Sequence, residues 1–304
     1  SSLVGSEMCI RDRLYIYETA LILMIFGGQI MKYNKIVLFF CISAPACMLM
    51  RILQLMFTVE AETGFFNAEY GSIGYYLLAF IAVFCAVTVI LCFTGHRNPD
   101  HPPKKNIFIC ISSLFLAAAT AIQLFSESFS GTVRLWQSAL LMLTGFGATV
   151  FFLIYGISGF AGIKPSPVLA VLPAVYYIMR LICDFTSVSS LALITDNMLV
   201  LASYSLSLLF FISFGKLYNG IDPEYNFRKL MATGMAAVIL CLTQSVPYFI
   251  INVLTGGVYR HTSVSCNFAL LATGIFAAVF IFSHFSYSNT VASHSGKGEE
   301  KYYI

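Results

Sequence analysis

Residues 168–187 of the chain read VLAVLPAVYYIMRLICDFTS, an apolar stretch interrupted near its end by one arginine and one aspartate. A helix of roughly 20 apolar residues spans the hydrocarbon core of a bilayer. Hydrophobic residues make up 59% of the chain and charged residues only 10%, against roughly a quarter in soluble domains. The short alternating stretches of an outer-membrane barrel are absent, so the sequence predicts an all-α, polytopic transmembrane helical bundle of about eight spans. The other seven stretches of sufficient length are residues 36–57, 75–94, 106–125, 135–157, 197–217, 230–254 and 265–287.

The first thirty residues carry signs of a non-native leader. Residues 1–13, SSLVGSEMCIRDR, resemble translated sequencing-adapter sequence. Gly27-Gly28 can be encoded by a ribosome-binding sequence, and Met31 follows it, with Lys32 and an apolar run after that. Targeting and processing segments are set aside before a fold is inferred, so we expect the native chain to start at Met31 and residues 1–30 to be the leader. The alternative makes Leu14–Ile30 a ninth span.

Lysine and arginine are distributed unevenly between the two predicted sides of the membrane. With the N-terminus in the cytoplasm, eleven of them after Met31 fall inside, whereas only Arg134 and Arg260 fall outside. Short loops rich in Lys and Arg stay in the cytoplasm, so both termini are predicted to be cytoplasmic. The eleven are Lys32, Lys35, Arg97, Lys104, Lys105, Lys164, Lys216, Arg228, Lys229, Lys297 and Lys301. The same topology puts five acidic residues in the outer loops or at their edges, namely Glu60, Glu62, Glu69, Glu127 and Asp196.

Two spans share a short sequence pattern that suggests an internal duplication. The first span contains Pro45 and then Met50-Arg51-Ile52, and the fifth contains Pro173 and then Met179-Arg180-Leu181. Repeats related by an axis along the membrane normal occur in some transporters. We therefore predict two four-helix halves, residues 31–164 and 165–289, followed by a polar cytoplasmic tail at 290–304. Chance similarity between two apolar helices is the alternative.

Polar side chains concentrate in the outward halves of the predicted spans. Ionisable residues inside a membrane usually face the bundle interior or a wet cavity, so we expect an exterior-facing polar cavity for a small polar or anionic ligand. Arg180 and Asp184 share one helix face and can pair, whereas Arg51 has Asp184 or Asp196 as possible partners. One alternative is that these polar side chains only form hydrogen bonds between helices. Another is that the arginine side chains extend to the membrane–water interface. The candidate ligand-binding residues are Arg51, Gln54, Arg180, Asp184, Asp196 and Gln244. Pro45, Pro173 and Pro247 are predicted to interrupt three of the spans.

Motifs that indicate catalysis or a cofactor are missing from the sequence. There is no HExxH, no GxSxG and no glycine-rich phosphate loop, so we expect no enzymatic activity and assign no catalytic residue. No CxxC pair suggests a zinc site or a redox pair. His96, Asp100 and His101 are close together in sequence, but three prolines make their turn stiff and exposed. We therefore predict no metal site and no cofactor.

The stretch from Pro173 through Asp196-Asn197 to Phe210-Phe211 resembles segments of uncharacterised bacterial multi-pass membrane proteins with eight helices. The resemblance implies a bacterial cytoplasmic (inner) membrane and no particular activity. Together these observations favour a transporter-like or sensor-like protein. The alternative is a non-catalytic scaffold or a subunit of a larger membrane assembly. The expected partners are the lipid bilayer, a small polar ligand and either another membrane protein or further copies of this chain, but no nucleic acid.

Overall fold

The computed structural model describes residues 35–59, 71–94, 106–130, 135–161, 166–188, 195–254 and 263–298. Within these ranges the chain is helical and contains no β-strand, which confirms the all-α prediction. One short 3₁₀ segment, Pro167–Val171, precedes the fifth helix. The α-helices are α1 (Lys35–Phe57), α2 (Gly71–Thr94), α3 (Ile107–Ser130), α4 (Leu135–Ala161), α5 (Leu172–Val188), α6 (Thr195–Tyr218), α7 (Pro223–Leu254) and α8 (Val264–Gly298).

All eight of these helices are long and apolar enough to cross a membrane. Many of their large apolar side chains are exposed, as expected for helices that face lipid rather than water. The protein is therefore a multi-pass membrane protein, as its hydropathy predicts.

The helix ends differ from the predicted ones where polar residues continue a helix. α3 runs on to Ser130 and α7 begins as early as Pro223, because hydropathy marks the apolar part of a helix and not its polar turns. Pro45 and Pro247 lie inside α1 and α7. Pro173 is the second residue of α5, so it lies within the span Pro167–Thr186 where the backbone changes from 3₁₀ to α geometry, and not in the interior of an α-helix. A proline is well tolerated there, because the first turn of a helix needs no backbone N–H.

The chain divides into two compact units, residues 1–42 and 43–304. The first unit is described only as the beginning of α1. In the second unit, each of the helices α3 to α8 packs against the next, and α8 packs against α3, so these six helices form a closed ring. α2 packs against α7, and Leu55 of α1 contacts Tyr248 and Ile251 of α7. The ring includes helices from both predicted halves, and the duplication itself stays a prediction.

The ring has two distinct ends because consecutive spans alternate in direction. At one end α3, α5 and α7 finish and α4, α6 and α8 begin; we call this the Glu127 end. At the opposite end a tight turn joins α6 to α7. There Gly220, with φ +70°, closes a Schellman motif in which Ile221 N–H donates to the Lys216 carbonyl and Gly220 N–H to the Leu217 carbonyl, both at 3.0 Å. Asp222, with φ 43°, immediately precedes α7.

Aromatic side chains fill the ring between its two ends. Tyr177 of α5 stacks on Phe211 of α6 with ring centroids 5.0 Å apart. Phe211 stacks in turn on Phe276 of α8 at 6.1 Å. We call this buried group the aromatic cluster, and its members are Phe151, Phe152, Tyr155, Tyr177, Phe210, Phe211, Phe214, Phe276 and Phe280.

Candidate functional site

Arg180 of α5 is held by two carboxylates near the Glu127 end. Its Nε donates to Asp184 Oδ2 at 3.1 Å, one helical turn further along α5. Its Nη1 donates to Glu127 Oε2 on α3. The Arg180 side chain is 8% exposed, against 17% for Glu127 and 21% for Asp184. The Arg180 guanidinium is therefore buried, while the Glu127 and Asp184 carboxylates are partly exposed at this end of the ring.

Gln123 connects this ion pair to two tyrosines. Its Nε2 donates to Glu127 Oε1 and to the Tyr204 hydroxyl, both at 3.1 Å. Its Oε1 accepts from the Tyr176 hydroxyl, also at 3.1 Å. Because a glutamine amide has both donors and an acceptor, one side chain here bonds groups from three helices.

Tyr204 of α6 contacts both the Arg180 guanidinium and the Cys266 thiol. Its ring centroid lies 5.4 Å from the guanidinium carbon of Arg180, within the range of a cation–π contact. Its hydroxyl lies 3.2 Å from the Cys266 thiol of α8. The resulting group spans α3, α5, α6 and α8, and we call it the charged network. It consists of Gln123, Glu127, Tyr176, Arg180, Asp184, Tyr204 and Cys266.

The charged network has an uneven charge balance. With the side chains in their usual charge states, the seven described residues of the network contain one guanidinium and two carboxylates, so their formal charge is −1. Two unit charges 4 Å apart attract by about 4 kcal/mol at an effective dielectric constant of 20. The network is therefore an electrostatically favourable place for a small cation and an unfavourable one for an anion.

Of the predicted site residues, Arg180 and Asp184 are brought together here, and their predicted pairing is present. Arg51 and Gln54 meet elsewhere. The Arg51 guanidinium, which is 0% exposed, donates to Gln54 Oε1 through Nη1. Gln54 Nε2 donates to the Gly74 carbonyl at 2.9 Å, which bonds α1 to α2. The structure thus forms a second buried polar group around Arg51.

The two remaining predicted residues contribute differently. Gln244 of α7 is buried, and its Oε1 has no hydrogen-bond partner within the described part of the chain. It lies one helical turn before Tyr248, as Arg51 lies one turn before Leu55. Because Tyr248 contacts Leu55, Gln244 and Arg51 are at a similar depth. Asp196 belongs to α6, but its side chain lies outside the described residues.

Sequence reasoning missed the group that matters most, Glu127. The apolar stretch ends near residue 125, so Glu127 was expected beyond the span, on the outer side, and was not among the predicted site residues. α3 continues to Ser130, and Glu127 bonds Arg180 from its last two turns. The available signal was the four-residue spacing from Gln123 to Glu127, which places both on one helix face. Tyr176 and Tyr204 gave no comparable signal, because tyrosine is common in apolar spans.

Metal coordination finds no support in the described ranges, where no group of three or more His, Cys, Asp or Glu side chains is placed to hold an ion. His96, Asp100 and His101 lie outside the described residues.

Comparison of the chain with protein-family models, with curated proteins and with solved structures found no match in any of the three. What can be inferred about function therefore comes from the side chains themselves. A buried cation, two partly exposed carboxylates and two tyrosine hydroxyls can bind a small ligand that exchanges for one arm of the ion pair. The same side chains can equally serve only to bond α3, α5, α6 and α8 to one another.

Proposed function

We propose that this membrane protein is transporter-like or sensor-like, and that the charged network is its binding site for a small cationic ligand. Three charged side chains lie within the helices near the Glu127 end, and a charged side chain inside a spanning helix is costly, by roughly 2.5–3.5 kcal/mol at the helix centre and less toward its ends. Such groups commonly mark a substrate or ion pathway. The observation that carries the proposal is the ion pair of Arg180 with both Glu127 and Asp184.

The net charge of the charged network favours a cationic ligand over an anionic one. The sequence predicts a polar or anionic ligand on the basis of its two arginines. In the structure the two Arg180 partners are carboxylates, so an incoming anion meets like charge at this position. A cation, in contrast, meets a net negative site with a tyrosine ring beside it. We therefore propose a monovalent cation or an organic ammonium ion.

The position of the network supports access from one side. Asp184 and Glu127 are the more exposed members of the ion pair, and they lie at the Glu127 end, whereas the aromatic cluster fills the ring beyond Tyr177. Under the topology that lysine and arginine predict, the Glu127 end faces the cell exterior. We propose that the ligand enters there, and that the membrane is the bacterial inner membrane.

One observation favours the alternative role of scaffold or assembly subunit. Each of the side chains Gln123, Tyr176, Arg180 and Tyr204 already has a hydrogen-bond or ring partner in the protein. A fully bonded polar network makes a core specific and rigid without any ligand. The two roles differ in one measurable respect, which is whether a cation stabilises the folded protein.

Thermal unfolding of the full chain in lipid nanodiscs tests the proposal. The cation probes are the chlorides of sodium, potassium, ammonium, choline and putrescine at equal ionic strength. The anion probes are the sodium salts of phosphate, sulfate and glutamate, each compared with sodium chloride at equal sodium concentration. A ligand that binds only the folded protein stabilises it by about 2.7 kcal/mol at a hundred times its Kd. We expect at least one cation, and none of the added anions, to raise the unfolding temperature.

Two variants with the same change of charge provide the control. Glu127→Gln neutralises a carboxylate of the network and should abolish the stabilisation. Asp222→Asn neutralises an exposed carboxylate in the turn at the opposite end, and Asn tolerates the positive φ of that position, so the stabilisation should remain. If no cation stabilises the wild-type protein, or if both variants respond as the wild type does, the scaffold role is the correct one.

A further inference from the structure

We infer that the aromatic cluster is a closed gate across the six-helix ring, and that α5 mechanically links this gate to the charged network. The inference rests on the proposed function only in assigning the gate to a transported or sensed ligand. The structural claim is that weakening the Arg180–Glu127 ion pair between α5 and α3 also weakens the ring packing of the aromatic cluster.

The part of the aromatic cluster that closes the gate consists of rings from four helices at one level, and we call these rings the seal. Phe152 of α4 contacts Phe211 of α6 at 5.5 Å and Phe276 of α8 at 5.8 Å, measured between ring centroids. Tyr177 of α5 joins the group by stacking on Phe211 at 5.0 Å. All four side chains are buried. Hydrophobic constrictions of this kind block ions by excluding water.

One helical turn of α5 carries residues of both the seal and the network. Tyr177 and Arg180 are three residues apart, and therefore lie on neighbouring positions of the same turn. Tyr176 lies beside Tyr177, with ring centroids 5.2 Å apart, and its hydroxyl donates to Gln123 of α3. The backbone of a helical turn moves as one body, so a displacement of α5 that carries Arg180 away from Glu127 also displaces Tyr177 from Phe211.

Hydrogen bonds hold this turn of α5 on two sides. The Arg180–Glu127 ion pair joins it to α3. The hydroxyls of Tyr177 and Thr273 lie 2.6 Å apart and join it to α8. The ion pair is the stronger restraint, because charge-assisted hydrogen bonds are roughly twice as strong as neutral ones.

The opposite end of α5 has the features of a pivot. The helix is preceded by the 3₁₀ segment Pro167–Val171, and its second residue is Pro173. Pro173 lacks a backbone N–H and so donates no hydrogen bond back to the 3₁₀ segment. The span Pro167–Thr186 changes from 3₁₀ to α geometry at this place, and the proposed movement of α5 is a bend there. Rotation about this point would move Tyr177 and Arg180 together.

Proton leakage through liposomes containing the full chain tests the gate. The liposomes hold a pH-sensitive dye, and the potassium ionophore valinomycin removes the opposing voltage after an acid pulse. Phe211→Ala should speed acidification about tenfold by opening a path for water through the seal. Phe146→Ala removes the same side chain from an exposed position on α4 and should leak as slowly as the wild type.

A second pair of variants tests the link through α5. Glu127→Gln weakens the bond between α5 and α3 and should raise the leak severalfold. Asp222→Asn changes the charge by the same amount, but Asp222 lies in the exposed turn at the opposite end of the ring, so its leak should stay at the wild-type rate. Equal leaks from these two variants would refute the link, because charge alone would then explain the effect.

Folding is checked by circular dichroism and by the unfolding temperature of each variant before reconstitution. If Phe211→Ala does not yield folded protein, Phe211→Leu replaces it, with a smaller but measurable increase expected. A folded Phe211 variant that leaks no faster than Phe146→Ala would show that the cluster is ordinary packing and would overturn the gate. All variants are compared in the same potassium buffer, and the comparison of Phe211→Ala with Phe146→Ala does not depend on whether a cation binds the charged network. A failure of the gate is therefore distinguishable from a failure of the cation-binding proposal.

Discussion

Replacement of Arg180 by methionine should destabilise the protein more than any loss of a neutral hydrogen bond in the bundle. The substitution keeps a long, unbranched side chain in the same space but removes the guanidinium. Glu127 and Asp184 then lose their cation in the network, and the Tyr204 ring loses its cation–π partner.

The expected magnitude follows from burial. Removing one partner of a buried ion pair costs roughly 3–5 kcal/mol, because the remaining charge is left buried. The Glu127 and Asp184 side chains are 17% and 21% exposed, so water relieves part of this cost and we expect about 3 kcal/mol. A neutral hydrogen bond between membrane helices contributes about 0.6 kcal/mol on average. The Gln137–Thr186 bond, 2.9 Å long, is a matched case of that kind.

The assay is equilibrium unfolding of the purified protein in mixed micelles with increasing SDS, followed by circular dichroism. Thr186→Val serves as the neutral control. The triple variant Arg180→Met with Glu127→Gln and Asp184→Asn removes all three charges and should recover most of the lost stability, since replacing a complete buried ion group is often nearly neutral. An Arg180→Met loss no larger than that of Thr186→Val would refute the view that this ion pair is buried and tightly coupled.

Further predictions concern packing, topology and the turn at the opposite end. Gly156→Ala should cost about 1–3 kcal/mol by crowding α3, because the added Cβ would lie 2.7 Å from Leu114 Cγ; Gly147→Ala, whose Cβ would meet nothing closer than 3.5 Å, should leave the unfolding free energy nearly unchanged. A single cysteine introduced at Asn219, in a variant without other cysteines, should react with a membrane-impermeant maleimide only after the cells are opened, and labelling in intact cells would invert the predicted topology. Gly220→Ala should cost about 1 kcal/mol in SDS unfolding, since an L side chain is strained at φ +70°, and an unchanged midpoint would contradict the Schellman geometry.

Much of the fold follows from hydropathy along the chain. Each span predicted from its apolar length coincides with a helix, because a backbone in lipid must satisfy its own hydrogen bonds. The ends of the helices were less predictable. The last turns of α3 are polar, and they remain helical where Glu127 bonds Arg180 and Gln123 bonds Tyr204, which local sequence does not reveal.

The candidate site was predictable only where its contacts are local. Arg180 and Asp184 pair as their four-residue spacing predicts. The joint appearance of Arg51 and Arg180 in one site was expected from their similar depth, yet the contacts of Arg51 with Gln54 and of Arg180 with Glu127 belong to different groups of helices. Depth is a property of one helix, whereas the neighbour at that depth depends on how each helix is rotated and which helix it packs against.

Hydropathy and residue spacing alone establish that the chain is built from membrane-spanning helices, roughly where these helices lie, and which arginine and aspartate share a helical face. These properties depend on apolar length and on the 3.6-residue period of a single helix. Packing between helices, in contrast, sets that α3 to α8 close into a ring, that Glu127 of α3 joins Asp184 in binding Arg180, and that aromatic rings from four helices meet beneath that ion pair. Contacts of this kind depend on the packing of side chains between helices, to which residues far apart in the chain contribute together.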